Sequence, residues 1–168
     1  MSTDRVKEYL KKWNRDKDVL ETQTSTATVP QAAAALGVMP GRIAKSITLR
    51  NGQGGGLMLV TSGDTKIDNK SFKRHFGISP RMLNADETYN LTAFVIGGVC
   101  PFGLPPGVEV YLDSSLQRFT TVFPACGSSN SMIEVNNDEL FKYSLARDWV
   151  EVCKVIVDNS VETATGST

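Results

Sequence analysis

Residues 44–61 read AKSITLRNGQGGGLMLVT, and this stretch predicts a β-hairpin. Ile47 and Leu49 alternate with polar residues, as on a strand with one buried face. Asn51-Gly52 begins a glycine-rich turn, and the apolar run LMLV follows as the second strand. Lys45 has the same parity as the two apolar residues. Its side chain therefore either extends past the edge of the core into solvent or projects into a cavity.

Both flanks of the hairpin predict short helices and strands. A capping box at Thr28–Gln31 begins an alanine-rich helix that ends at Gly37, and Asp68 and Gly77 bound another helix in the same way. Further helices are predicted at 5–13 and after residue 136, and further strands at 108–112, 120–123, 132–135 and 149–152. Short strands interleaved with brief helices, without regular βαβ repeats, predict an α/β (α+β) fold. Its mixed sheet is expected to be curled or barrel-like, with helices packed outside.

Length and composition indicate one compact domain. A chain of 168 residues, 40% of them apolar, can bury one core, so residues 1–157 are expected to form a single domain. The Ser- and Thr-rich end, residues 158–168, is expected to be a disordered tail. The chain begins without the apolar core of a signal peptide and contains no apolar run long enough to cross a bilayer. We therefore expect a cytoplasmic protein without membrane contact.

Charge and cysteine usage argue against several classes. Eighteen basic residues balance eighteen acidic ones, so the protein lacks the strong positive field of proteins that coat nucleic acid, and any RNA contact must be local. Cys100, Cys126 and Cys153 are widely spaced and His75 is the single histidine, which argues against a disulfide framework and a bound zinc ion. We expect no metal and no cofactor. Cys100 has no neighbouring base in the sequence and is expected to be a core or loop thiol rather than a nucleophile.

Two regions are candidate sites from the residue pattern alone. Residues 97–103 are rich in glycine and proline and could form a pocket wall, although such residues also occur in plain connections. Lys66, Lys70, Lys73 and Arg74 are spaced to present one basic face, a candidate contact for nucleic-acid phosphates. The alternative for this face is an ordinary solvated surface.

Three motifs together resemble the YbaK and prolyl-tRNA-synthetase-associated editing domain family. The first is TVPQAAAALG at 28–37, continuing to IAKS at 43–46. The second is LTAF at 91–94 followed by GGVCPFG at 97–103, and the third is VYLDSSL at 110–116 ending in ACGS at 125–128. The motifs occur in family order, and the resemblance covers roughly residues 5–152.

The resemblance implies a stand-alone, trans-acting aminoacyl-tRNA deacylase. Relatives hydrolyse the ester between a non-cognate amino acid, often alanine or cysteine, and the terminal adenosine of tRNA, with tRNA(Pro) as the expected tRNA. The 3′ acceptor end of tRNA and prolyl-tRNA synthetase are the implied partners, the basic face would meet the acceptor arm, and homodimer formation stays open. The alternative is a non-catalytic module that binds aminoacyl-tRNA or a synthetase. By residue, the resemblance implies a catalytic Lys45 and substrate binding by Gly97, Gly98, Pro101, Gly127 and Ser128.

Overall fold

The computed structural model describes residues 2–156, so the expected tail at 158–168 lies outside the described residues. The helices are α1 (Ser2–Leu10), α2 (Val29–Leu36), α3 (Asn69–Phe76), α4 (Ala85–Thr92) and α5 (Asn137–Ser144). The strands are β1 (Leu20–Glu21), β2 (Ile43–Arg50), β3 (Gly56–Ser62), β4 (Thr65–Ile67), β5 (Glu109–Asp113), β6 (Thr121–Pro124), β7 (Ser131–Met132), β8 (Val135–Asn136), β9 (Asp148–Val150) and β10 (Cys153–Val155). Short 3-10 turns occupy Lys11–Trp13, Asp16–Asp18, Pro40–Arg42 and Ser114–Arg118.

A six-stranded mixed sheet in the order β8-β6-β2-β3-β5-β9 forms the centre of the molecule. The predicted hairpin is confirmed: β2 and β3 pair antiparallel from Ala44 opposite Ser62 to Arg50 opposite Gly56. β6 joins β2 in parallel, and β5 and β9 add further parallel strands beyond β3. Two small antiparallel pairs, β1 with β7 and β4 with β10, lie beside this sheet. The predicted fold class, a mixed curled sheet with helices outside, is confirmed.

Local sequence signals set the helix ends. The Thr28 side chain accepts a hydrogen bond from the Gln31 N–H, and the Gln31 side chain accepts one from the Thr28 N–H, which completes the predicted capping box. Asp68 caps α3, and Gly77 ends it with positive φ. Helix α4, which the sequence analysis did not predict, begins with a capping box between Asn84 and Glu87. That N-x-x-E spacing was the signal that could have located it.

Two predicted strands are each divided in the structure. The strand predicted at 132–135 is two short strands, because β7 pairs with β1 whereas β8 pairs with β6. The strand predicted at 149–152 ends at Val150 in β9, and the chain then crosses to pair with β4 as β10. Both predictions were wrong for the same reason: the strand changes its hydrogen-bonding partner, and a local apolar pattern contains no information about partners.

The sheet is covered on both faces. Met58 and Val60 of β3 pack in the cluster that contains α1, whereas Leu57 and Leu59 pack with Phe72 of α3. Because successive side chains of a strand point to opposite faces, this double cover explains the continuous apolar run in β3. A third cluster packs α2 against Ile43, Phe123 and Met132, at the start of β2. Across residues 2–156, every helix is too short or too polar to span a bilayer.

Candidate functional site

A cavity of about 260 Å³ lies at an open edge of β2. β6 pairs with β2 only at Ile43 and Ala44, and the segment 81–83 bonds to β2 only from Thr48 onward. The start of β2, at 43–46, lines the cavity beside this opening. The remaining walls come from the loop at 26–28, the first residue of α2, the loops around residues 82, 97 and 125, and Met132 of β7. A larger depression of about 520 Å³ lies between the hairpin turn and α4, but none of the predicted site residues line it.

Lys45 lines this cavity and is half-buried. Its Nζ donates a hydrogen bond of 2.5 Å to the carbonyl oxygen of Thr65. Burial lowers the pKa of the Lys45 ammonium below its ordinary 10.5, and the nearby Cys153 and Asp64 act in the opposite direction. The structure therefore places Lys45 at a cavity rather than at a fully solvated strand edge, and a neutral backbone carbonyl accepts the hydrogen bond of its ammonium.

A buried hydrogen-bond network supports Thr65, the acceptor for Lys45. The Thr65 hydroxyl donates to the Ser62 carbonyl at 2.8 Å and also contacts the Thr61 hydroxyl at 2.8 Å. The Thr61 hydroxyl lies 3.1 Å from the Ser115 hydroxyl. Ser115 is oriented in turn by its N–H, which donates to the Asp113 carboxylate at 3.0 Å. The network was not predicted from the sequence, because its members come from separate segments of the chain.

Asp113 is the most heavily used acceptor of the network. It is only 1% exposed, and besides Ser115 it accepts from the Val152 N–H at 2.9 Å and the Cys153 N–H at 3.2 Å. These two bonds hold the crossing between β9 and β10. A carboxylate that satisfies three N–H donors is costly to replace, since a buried donor without a partner costs about 1–3 kcal/mol.

Replacing Asp113 with asparagine is therefore expected to lower the free energy of unfolding by about 1–2 kcal/mol, because the amide has one oxygen instead of two. Urea titration followed by circular dichroism would measure this loss. The matched control is Asp86→Asn in the exposed first turn of α4, where the effect should be much smaller. An Asp113→Asn midpoint equal to that of the control would contradict the role assigned to the network.

Gly97 forms the second wall of the cavity within a tight turn. The Gly98 N–H donates to the Val95 carbonyl at 3.0 Å, and Gly97 adopts a φ of +99°, which favours glycine. The loop before α2 packs directly on this turn, since a Cβ added at Gly97 would lie 3.2 Å from the Cβ of Ala27. The same loop is tied to the segment at 125–131 by the Thr26 N–H, which donates to the Ser129 carbonyl at 2.6 Å.

Gly98 brings the second and third motifs into contact. A Cβ at Gly98 would lie 2.8 Å from backbone atoms of both Gly127 and Ser128. The Ser128 hydroxyl is bonded to the Ser131 hydroxyl at 2.6 Å, so it is already engaged within its own loop. Gly98, Gly127 and Ser128 thus lie together behind the wall formed by Gly97. Ser128 contacts Gly98 through its backbone, which was not evident from the sequence.

Pro101 is not brought to this cavity. It lines a separate depression of about 160 Å³ together with Tyr9 and Gly103, next to α1. Three residues separate Pro101 from Gly97, and they are enough to place it elsewhere, because the loop turns at Gly97 and then continues into the core through Cys100, which is fully buried. Of the residues predicted for catalysis and substrate binding, Lys45 and Gly97 line one cavity, and Pro101 lines a different depression.

The four residues of the predicted basic face are exposed, and none of them lines the cavity. Lys66 lies in β4 directly after Thr65, the residue that binds the Lys45 ammonium. Lys70, Lys73 and Arg74 are all exposed on α3. Lys154 of β10 lies opposite Lys66 and adds a cation that sequence analysis missed, although it is 3.5 Å from the Asp68 carboxylate. Lys66 and Lys154 thus lie on the small β4–β10 sheet, and the other three cations lie on α3.

Two of the three cysteines, Cys100 and Cys126, are buried, and Cys153 is partly buried. Burial raises the pKa of the Cys100 thiol to about 12 and that of Cys126 well above its ordinary value. Burial likewise raises the pKa of Cys153 to about 11. A thiol with such a pKa is almost entirely protonated at neutral pH and is a poor nucleophile. Within residues 2–156, no three His, Cys, Asp or Glu side chains are grouped so that they could hold a metal ion.

Comparisons with known proteins agree on one family. The family model described as an aminoacyl-tRNA editing domain matches residues 23–143. The chain is 50% identical over 154 residues to the uncharacterized protein YwhH of Bacillus subtilis, covering 92% of this chain and 98% of that protein. It is 25% identical over 130 residues to EbsC of Enterococcus faecalis, covering 77% and 74% of the two chains. The name of EbsC describes a candidate Cys-tRNA(Pro)/Cys-tRNA(Cys) deacylase.

Solved structures show the same relationship. A candidate trans-editing enzyme for prolyl-tRNA synthetase superposes with a TM-score of 0.81 at 28% identity, covering 91% of this chain and 97% of that one. The hypothetical protein APE2540 superposes with a TM-score of 0.79 at 31% identity, covering 89% and 99%. The family match spans the cavity residues at both of its walls, Lys45 and Gly97. The chain therefore belongs to the aminoacyl-tRNA editing domain family.

Proposed function

We propose that the protein is a trans-acting deacylase that hydrolyses a small, alanine- or cysteine-type amino acid from mischarged tRNA, with tRNA(Pro) as the expected substrate. The observation that carries the proposal is that Lys45 and Gly97, from motifs about 50 residues apart, line one cavity of about 260 Å³. The names of EbsC and of the related trans-editing structure support the substrate class. A cavity of this size suits a small side chain. The proposed location is the cytoplasm, where charged tRNA is used.

The proposed reaction needs few catalytic groups from the protein, because an aminoacyl ester is already activated toward hydrolysis. Water attacks the ester carbonyl carbon and the carbonyl oxygen becomes an oxyanion. The bond to the ribose oxygen then breaks, this oxygen takes up the proton that the attacking water gives up and becomes the ribose hydroxyl, and the free amino acid leaves. The protein must hold the ester beside water and stabilise the developing charge. In the proposed mechanism a hydroxyl of the substrate's own ribose helps to position the water, and no metal or cofactor takes part.

Lys45 and Gly97 have separate roles in this proposal. The Lys45 ammonium leaves the Thr65 carbonyl and binds the terminal phosphate or the ester oxygen, since a hydrogen bond to a charged acceptor is stronger than one to a neutral carbonyl. The turn at Gly97 lets the backbone approach the ester closely. Gly98, Gly127 and Ser128 then act by holding that turn in place. For Pro101 the structure supports a role in loop shape rather than direct contact.

A panel of mischarged tRNAs tests the proposal. Purified protein is incubated with Ala-, Cys- and Pro-tRNA(Pro), each carrying a labelled amino acid, and the release of label is measured. We expect release of alanine or cysteine at a rate well above spontaneous hydrolysis, and little release of proline. Binding of the charged tRNAs without release would contradict the proposal and would favour the alternative, a non-catalytic binding module.

The basic face is proposed to contact the acceptor arm. The double variant Lys70→Ala and Lys73→Ala is expected to raise KM for tRNA and to reduce the slope of log kcat/KM against log salt by about one to two. The reason is that tRNA binding releases about one counterion fewer from the phosphates for each lysine that is removed. Stopped-time deacylation at several salt concentrations would measure the slope. The charge-matched control is Lys17→Ala with Lys142→Ala, two exposed lysines outside this face. Equal slopes for both variants would show that α3 does not meet the tRNA.

A further inference from the structure

Two large apolar side chains stand at the opening of the cavity. Met82 is 68% exposed and Ile96 is 57% exposed. Both nevertheless line the cavity that contains Lys45 and Gly97. Side chains that form part of a cavity wall while being mostly open to solvent lie at its mouth. Single exposed apolar residues are common, but two at the entrance to one candidate site suggest a ligand surface.

Backbone hydrogen bonds hold both residues at the mouth. Met82 forms an antiparallel bridge with Leu49, and its neighbours Arg81 and Leu83 bond to β2 at 2.8 and 3.0 Å. Ile96 is the second residue of the turn closed by the Gly98 N–H, directly before Gly97. The exposure of these side chains is therefore built into the ordered strand edge and the ordered turn.

We propose that Met82 and Ile96 bind the terminal adenine of the tRNA, an inference that rests on the proposed function. In an aminoacyl-tRNA the amino acid is esterified to the ribose of the last nucleotide. If the aminoacyl group enters the cavity beside Lys45, the ribose lies at the mouth and the base lies just beyond it. A flat base offers a π face that packs on apolar side chains, and the thioether of methionine is a favourable partner for such a ring.

The small extent of this surface favours a base over a protein partner. A stable protein interface buries about 800 Å² on each side, which needs some twenty residues. Two side chains at a cavity mouth match the face of one nucleobase instead. Packing on a base is also tolerant of sequence, because every base has a π face. The terminal adenine is common to all tRNAs, so the contact would position the ester without selecting the tRNA.

The test compares substrates that differ only in the base. Met82→Ala and Ile96→Ala are assayed with the alanine ester of adenosine and with alanine ethyl ester, which has no base. Met39→Ala is the matched control, since Met39 is 65% exposed and lies outside the cavity wall. We expect KM for the adenosine ester to rise roughly threefold to tenfold in each cavity variant, with kcat and the ethyl ester reaction nearly unchanged. The control should match the wild type with both substrates.

A binding measurement with an analogue that cannot be hydrolysed tests this inference separately from the proposed function. The non-hydrolysable 3′-alanylamido analogue of adenosine is titrated by calorimetry against the wild type and the three variants. A weaker Kd in Met82→Ala and Ile96→Ala, but not in Met39→Ala, supports the inference even if the wild type hydrolyses nothing, an outcome that would defeat only the deacylase assignment. An unchanged Kd in both cavity variants, or equal losses on the adenosine and ethyl esters, would overturn the inference while leaving deacylation intact.

Discussion

Replacing Lys45 with alanine is expected to reduce kcat/KM for deacylation of mischarged tRNA by roughly 100- to 1000-fold, the usual effect of removing one preorganised donor to developing charge. The variant should still fold, because Lys45 is only half-buried and its ammonium bonds to a single backbone carbonyl. Release of labelled amino acid under single-turnover conditions measures the chemical step directly. The expected loss is mainly in kcat, since charge at the ester develops in the transition state.

Two further variants make the Lys45 result interpretable. Lys45→Arg keeps a positive charge but replaces a compact ammonium with a broad planar fork, so we expect it to recover only part of the activity. Lys17→Ala removes an exposed lysine that does not line the cavity and should behave as the wild type. Turnover by Lys45→Ala at the rate of Lys17→Ala would exclude the catalytic role.

Replacing Gly98 with alanine is expected to lower the free energy of unfolding by about 2–3 kcal/mol, because overpacking against backbone is difficult to relieve. The new Cβ would lie 2.8 Å from backbone atoms of Gly127 and Ser128, far inside normal contact distance. In a domain of this size such a loss corresponds to a melting temperature lower by roughly 5–10 °C. Because the turn at Gly97 is displaced with its neighbour, we also expect a strong loss of deacylation at temperatures where the variant is folded.

The hairpin turn offers a matched control for the glycine effect. A Cβ at Gly55 would meet only side-chain atoms of Asn51, the nearest being Nδ2 at 3.2 Å, and no backbone atom of another segment. Neither Gly55 nor Gly98 has a positive φ, so the two substitutions differ in contact rather than in backbone conformation. Thermal unfolding followed by circular dichroism should place Gly55→Ala near the wild type. A Gly98→Ala protein as stable as Gly55→Ala would mean that the two loops are not packed as described.

The local sequence pattern was sufficient to predict those elements whose ends and turns are specified by neighbouring residues. The β2–β3 hairpin is specified by alternation and a glycine-rich turn, and helices α2 and α3 by a cap at one end and a glycine at the other. These features depend on residues within a few positions of one another. The strands predicted at 132–135 and 149–152 failed because a strand's partner lies elsewhere in the chain.

By itself, the sequence determined the fold class and the central hairpin, through local periodicity, caps and turn residues. It also determined the family, through three motifs whose residues and order can be identified directly in the linear sequence. Only the tertiary structure decided that Lys45 and Gly97 share a cavity, that Pro101 lies beside α1, and that Thr65 holds the Lys45 ammonium. The physical reason is that each of these contacts joins segments distant along the chain. Their approach depends on which strands pair and which loops pack, and neither is encoded by the periodicity of any one segment.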